Sequence, residues 1–132
     1  MHFWFLKSEP SEYSWQRMKN DQVTSWSGVC NYQAQSYMKK MKENDLAFFY
    51  HTGKEKAIVG VVAVCKEYYY ADDSKFGVID VKFFQTLNNH VTLQGIKQNL
   101  LLKNMVILRQ PRLSVSPVMK VEWNEIVRIS EC

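Results

Sequence analysis

Leu46-Ala47-Phe48-Phe49-Tyr50-His51 and Ala57-Ile58-Val59-Gly60-Val61-Val62-Ala63-Val64, separated by Thr52-Gly53-Lys54-Glu55-Lys56, form the stretch on which the fold turns. Both flanks are nearly unbroken runs of apolar, β-branched and aromatic residues, the composition of strands buried on both faces. The polar segment between them holds a glycine and three charged residues, so the whole stretch reads as a hairpin.

Working outward, Asn44-Asp45 turns the chain into the first of these strands. Before it, residues 31–41 place Tyr32, Tyr37, Met38 and Met41 at helical spacings, with Lys39 and Lys40 facing outward. The second strand continues through residues 67–70 to a turn at Asp72-Asp73-Ser74, and residues 78–84 supply a third strand. Residues 2–6 read as a buried strand broken by Lys7-Ser8-Glu9-Pro10. Ser14 caps a helix to residue 19, a turn follows at Asn20-Asp21, and residues 23–26 are extended. Towards the C-terminus, Thr92 caps a helix through residue 98, residues 109–115 are extended or irregular, and Ser116-Pro117 opens a last helix carrying Val121, Ile126 and Ile129 on one side, with Trp123 nearby. Strands cluster centrally and helices flank them, without repeats or linkers. The expectation is one α+β domain over residues 1–132, a mixed barrel or strongly curved sheet with helices outside.

Composition narrows the function classes. The 132 residues are 46% hydrophobic, enough for a core, and 14% aromatic, enough for some rings to line a site. Seventeen Lys and Arg against thirteen Asp and Glu give a net charge of +4, which permits a nucleic-acid partner without demanding one. Cys30, Cys65 and Cys132 have no zinc or disulfide spacing, and His2, His51 and His90 have no metal spacing, so no metal or cofactor is expected. The glycines are scattered singly and form no phosphate loop, and no GxSxG elbow is present. Cys30 with His51 is the one nucleophile and base pairing worth naming, and a buried structural cysteine is the preferred reading of it. No catalytic residue is assigned, and a non-enzymatic role is expected. Without a leader pattern or a membrane-length apolar run, the protein is expected to be soluble and intracellular, cytoplasmic in a bacterium or nuclear in a eukaryote.

The polar breaks at strand ends carry the chemistry. Lys7-Ser8-Glu9 and Tyr50-His51-Thr52 set hydrogen-bonding groups beside rings at the mouth of the barrel. A nucleobase needs flat apolar faces and a few directional donors and acceptors, which Trp26, Phe49 and Tyr50 beside Ser8, Asn31 and Gln33 can supply. The same residues also suit an ordinary core with turn polars. Arg109 and Arg112, three positions apart in a segment that Pro111 keeps from being one continuous helix, either grip phosphates or pair with a carboxylate such as Glu9.

Taken together and in order, Lys7-Ser8-Glu9-Pro10, Trp26-Ser27-Gly28-Val29-Cys30-Asn31-Tyr32-Gln33-Ala34, Phe48-Phe49-Tyr50-His51, Ile58-Val59-Gly60 and Arg109-Gln110-Pro111-Arg112-Leu113-Ser114-Val115 resemble the motif series of EVE domains over nearly the whole chain. The resemblance implies a PUA-like fold, a twisted mixed β-barrel surrounded by short helices and related to the YTH domains that read methylated adenine. It further implies a module that holds a modified base, a modified cytosine in DNA or a modified base in RNA, in an aromatic-rimmed pocket; the protein is expected to be a monomer. Carried onto this sequence, Trp26, Tyr32 and Phe49 or Tyr50 stack, while Ser8, Glu9, Asn31, Gln33 and His51 contact the edge. Lys7 belongs to the rim, Gly28 and Val29 offer backbone, and Arg109, Gln110 and Arg112 close a wall. Trp26, Asn31, Tyr50 and Arg109 are thus expected to converge on one cavity. An accessory to RNA modification and a small-molecule sensor are the alternatives.

Three departures from the family pattern stand out. Gln35 replaces an Arg common after NYQA, which is expected to weaken phosphate affinity. Pro111 replaces a common Gly, which stiffens the segment before Arg112. The loop over residues 69–77 is short and lacks a Trp near Phe76-Gly77-Val78, so the rim is expected to be open there.

Overall fold

Alternation along the first hairpin strand sorts its side chains between two cores. In β3 (Leu46–His51), Ala47 and Phe49 point into a core with Trp4, Leu6, Trp15, Met18, Trp26, Val62 and Ile79. Phe48 and Tyr50 point into another, with Phe5, Ile58, Val61, Trp123 and Ile126. A strand buried on both faces needs no polar alternation, and this one has none. The computed structural model describes residues 1–72 and 74–132, so the turn expected at Asp72-Asp73-Ser74 includes one position, Asp73, outside the described residues.

Around β3 the chain builds a mixed six-stranded sheet. β1 (Phe3–Ser8) runs parallel to β3 and antiparallel to β6 (Val115–Val118), while β4 (Ala57–Tyr69) joins β3 to β5 (Val78–Thr92), which carries β2 (Val23–Trp26). The order is β2-β5-β4-β3-β1-β6, a twisted sheet whose two outer strands are not hydrogen-bonded to each other. The helices are short. α1 (Trp15–Asp21), α2 (Tyr32–Met38) and α3 (Leu93–Lys97) start where Ser14, Asn31 and Thr92 accept a backbone N–H, as capping requires. With α4 (Val106–Arg109) and α5 (Lys120–Glu131), they surround the sheet in the expected α+β arrangement.

Four expectations need correction. α2 stops at Met38, because the Lys40 and Met41 amides bond to Tyr37 and Met38 in a tight turn. β5 does not end at residue 84 but continues to Thr92, because β4 still offers it a partner at Ile58 and Ala57. Ser116 and Pro117 are strand rather than helix: they pair with Phe5 and Trp4, and β6 lies at the sheet edge, where proline is tolerated. Arg109 closes a helical turn, α4, which leaves the irregular segment shorter than expected.

Candidate functional site

β1 ends in a tight turn, where the Glu9 carbonyl accepts the Glu12 and Tyr13 amides. Ser8 Oγ donates to the Tyr13 carbonyl at 2.5 Å, and the Ser8 carbonyl accepts the Thr52 amide. The Glu9 carboxylate accepts from the Ser11 amide, Thr52 Oγ1 and Ser11 Oγ, and the Ser11 and Thr52 bonds hold its carboxyl below the usual range. The turn is therefore fixed, and Glu9 is held in it as an acceptor.

This turn forms one wall of a cavity of about 540 Å³. Lys7, Ser8, Glu9, Tyr13 and Arg17 line it together with Thr24, Trp26, Gly28, Val29 and Ser114. Trp26, the last residue of β2, stands at 85° to the buried Phe49 ring with centroids 5.5 Å apart. Its indole N–H has no acceptor among the described residues, and neither do the amides of Gly28 and Val29. Gly28 has φ +79°, a left-handed turn that suits glycine, and a Cβ there would meet nothing within 4 Å. The wall thus presents one aromatic residue and a run of free backbone donors.

The charge lining this cavity is mixed. Glu9, Glu12 and Asp21 stand against Lys7 and Arg17. Tyr13 donates to Asp21 Oδ2 at 2.9 Å, under an Arg17 guanidinium 5.2 Å from its ring, and burial raises the phenol pKa. Such a lining suits a neutral ring system with both donor and acceptor edges better than it suits a phosphate.

Sequence-predicted residues divide among several recesses. Lys7, Ser8, Glu9, Trp26, Gly28 and Val29 share the cavity just described. Asn31, Gln33, Gln110 and Arg112 line a separate groove of about 410 Å³ with Pro111 and Leu113. Tyr50 lines a third recess with Lys7, and Arg109 a fourth with His2 and Phe3. The expected convergence of Trp26, Asn31, Tyr50 and Arg109 therefore does not occur: Arg109, at the end of the short α4, lines a different recess from Arg112, and alternation along β3 turns Tyr50 away from Trp26.

Phe49 is fully buried and lines none of these recesses; it backs Trp26 instead. Tyr32, 64% exposed, lies against Phe76 with Lys75 5.0 Å from its ring. His51 spends both ring nitrogens internally: Nε2 accepts the Trp15 amide at 2.9 Å, so the proton sits on Nδ1 and is donated to Glu55 Oε1 at 2.7 Å. Cys30 is exposed rather than buried, and His51 has no nitrogen left to serve it.

Two of the departures change meaning in the fold. Gln35 is 3% exposed and faces inward, donating to the Val29 and Gly77 carbonyls while its Oε1 accepts from the Gly77 amide and the Tyr68 hydroxyl. Position 35 therefore braces the cavity loop from behind and does not look toward a phosphate. The same bonds clasp Gly77, which is buried, so the expected gap near Phe76 and Gly77 does not open onto the cavity. Pro111 lends its carbonyl to Lys7 Nζ at 2.7 Å, strapping the segment to β1. Tyr13, Arg17 and Thr24 carry no motif, and only their proximity to the Ser14 cap and to a strand end marks them; Ser114 lies in the motif of residues 109–115 without a role assigned to it there.

Comparison with known proteins decides the family, for the EVE domain model matches residues 2–129. The chain belongs to the EVE domain family. Thymocyte nuclear protein 1 of Gallus gallus is 32% identical over 97% of this chain and 68% of its own length. A crystal structure of a protein from Agrobacterium tumefaciens is 34% identical with TM-score 0.93, covering 98% of this chain and 93% of its own. Human THYN1 protein, solved in complex with 5-methylcytosine-containing DNA, is 29% identical with TM-score 0.93, covering 100% of this chain and 99% of its own. The fold is the EVE domain's PUA-like one, although its sheet does not close into a barrel. Among the described residues no helix is long and apolar enough to cross a membrane.

Proposed function

We propose that this EVE domain is a non-enzymatic, monomeric reader that takes a modified nucleobase, a modified cytosine in DNA being the first choice, into the cavity between Ser8 and Trp26. One observation carries the reading: Trp26 and the unpaired amides of Gly28 and Val29 line the same recess as ionised Glu9. Trp26 supplies a stacking surface, the amides donate to ring acceptors, and the acidic groups accept from an exocyclic amine. A volume of about 540 Å³ lies in the usual range for small-ligand sites. The human THYN1 protein bound to 5-methylcytosine-containing DNA supports the choice of DNA.

Asn31, Gln33, Gln110 and Arg112 form the adjoining groove, which suits the strand that brings the base. Matched oligonucleotides, DNA or RNA, that differ only in modification of one base test the reading. Affinity should follow the modification, and Trp26→Ala should weaken it about 5- to 150-fold, the loss of one stacking face. Equal affinity for all oligonucleotides, unmoved by Trp26→Ala, would refute it.

A further inference from the structure

Lys7 is the wall between two recesses. On one side lies the cavity of about 540 Å³; on the other is a smaller one of about 270 Å³ lined by Lys7, Tyr50, Thr52, Lys56, Ile107 and Pro111. The ammonium is half-buried and donates to the Pro111 carbonyl at 2.7 Å, yet it forms no ion pair with a carboxylate among the described residues. The nearest acid in sequence, Glu9, is turned to Ser11 and Thr52. Tyr50 lies 6.0 Å below this ammonium, measured at the ring centroid, and is 5% exposed. Its hydroxyl has no hydrogen-bond partner among the described residues.

A half-buried ammonium without a counter-charge and a phenol that lines the recess with no protein partner for its hydroxyl are both free to donate to the same thing, an anionic oxygen. Lys56 adds a second positive charge to the lining. Ile107, Leu93 and Pro111 keep the recess apolar, which strengthens any charge-assisted bond formed in it.

We propose that the recess between Lys7, Tyr50 and Lys56 is a phosphate site, distinct from the base cavity and sharing only Lys7 with it. Its occupant is either a phosphate of the strand that delivers the base or the phosphate of a small molecule. In both cases Lys7 and Lys56 supply charge and Tyr50 donates its hydroxyl.

Nuclear magnetic resonance and calorimetric titrations of the full chain separate these sources with three probes: inorganic phosphate, a short single-stranded DNA carrying 5-methylcytosine, and the nucleoside 5-methyl-2′-deoxycytidine, which has no phosphate. The variants are Tyr50→Phe, which removes one oxygen and leaves the core volume intact, and Lys56→Gln on the exposed rim. Each should weaken the phosphate-bearing probes about tenfold and leave the nucleoside unchanged. Lys56→Gln should also lower the salt dependence of DNA binding by about one ion. Saturable inorganic phosphate that shifts the Tyr50 and Gly53 amides identifies a small-molecule site; shifts there with DNA alone identify the strand. Phosphate and DNA affinities that survive both substitutions, with no shift at Tyr50, overturn the proposal. Loss of nucleoside binding in Trp26→Ala is read independently, so the base cavity and the phosphate site can fail separately.

Discussion

Gly60 of β4 has no room for a side chain, because the benzo ring of Trp15 fills the space where its Cβ would stand. The close approach lets α1 lie on the sheet, with the Trp15 ring 4.9 Å from Phe49 and 5.4 Å from Phe83 and its indole N–H donated to Thr86 Oγ1. Gly60→Ala must push the indole outward, and α1 carries Arg17 of the cavity wall with it. Overpacking of this kind costs about 1–3 kcal/mol, so the urea midpoint should fall with the slope unchanged. Ser25→Ala, which alters an exposed side chain at the rim, should be far milder.

Gln35 invites a sharper test. Four hydrogen bonds from its amide tie α2 to Val29, Gly77 and Tyr68. Gln35→Leu keeps the approximate volume but strands buried backbone groups, at about 1–3 kcal/mol for each one left unpaired. Gln35→Arg loses the same bonds and puts a charge at a position only 3% exposed. It should lower stability in denaturant titration without raising DNA affinity at low salt.

The hairpin of β3 and β4 was legible because burial on both faces leaves an apolar run that no helix period interrupts. β6 was not, because Ser116-Pro117 carries a strong local helix-start signal and becomes strand only through the partner β1 offers at a distance. Among site residues, those on the Lys7 to Glu9 turn and the Trp26 to Val29 segment line one cavity, each at the end of a strand. Tyr50 and Arg109 fall away for reasons that sequence spacing cannot express: alternation sends Tyr50 to the face opposite Phe49, and Arg109 closes a helical turn that lines another recess. His51 looked like a free edge donor, and its use by Trp15 and Glu55 depends on contacts remote from any motif.

Gly28 separates backbone strain from space. With φ +79° and nothing within 4 Å of a Cβ, Gly28→Ala meets no neighbour but forces alanine into the left-handed region, a cost of about 1–2 kcal/mol. Base affinity should fall further than the stability loss explains if the Gly28 and Val29 amides, which belong to residues lining the cavity, donate to the base as proposed. A binding titration held well below the unfolding transition distinguishes the two; unchanged affinity would exclude those amides as ligands.

The acid limb of stability should trace to the C-terminal helix. Glu125 in α5 accepts from Arg128 Nε at 2.8 Å and Nη2 at 2.9 Å, and from Asn99 Nδ2 at 2.6 Å. The Arg128 bonds and then the Asn99 bond lower its carboxyl pKa from the ordinary 4.5 to about 2. A carboxyl that holds its proton less tightly folded than unfolded stabilises the fold above the unfolded value, and that contribution disappears as the pH drops from 4.5 to about 2. Glu125→Gln should therefore flatten the fall of the urea midpoint across this window while lowering it at neutral pH. Because Asn99 precedes the turn at Leu100–Leu102, the same substitution should increase hydrogen exchange of the Leu101 amide, which Asn99 Oδ1 accepts at 2.9 Å. A mutant profile parallel to the wild type at every pH would locate the acid sensitivity elsewhere, with Glu9 next in line, since its carboxyl is also held low by the bonds from Ser11 and Thr52.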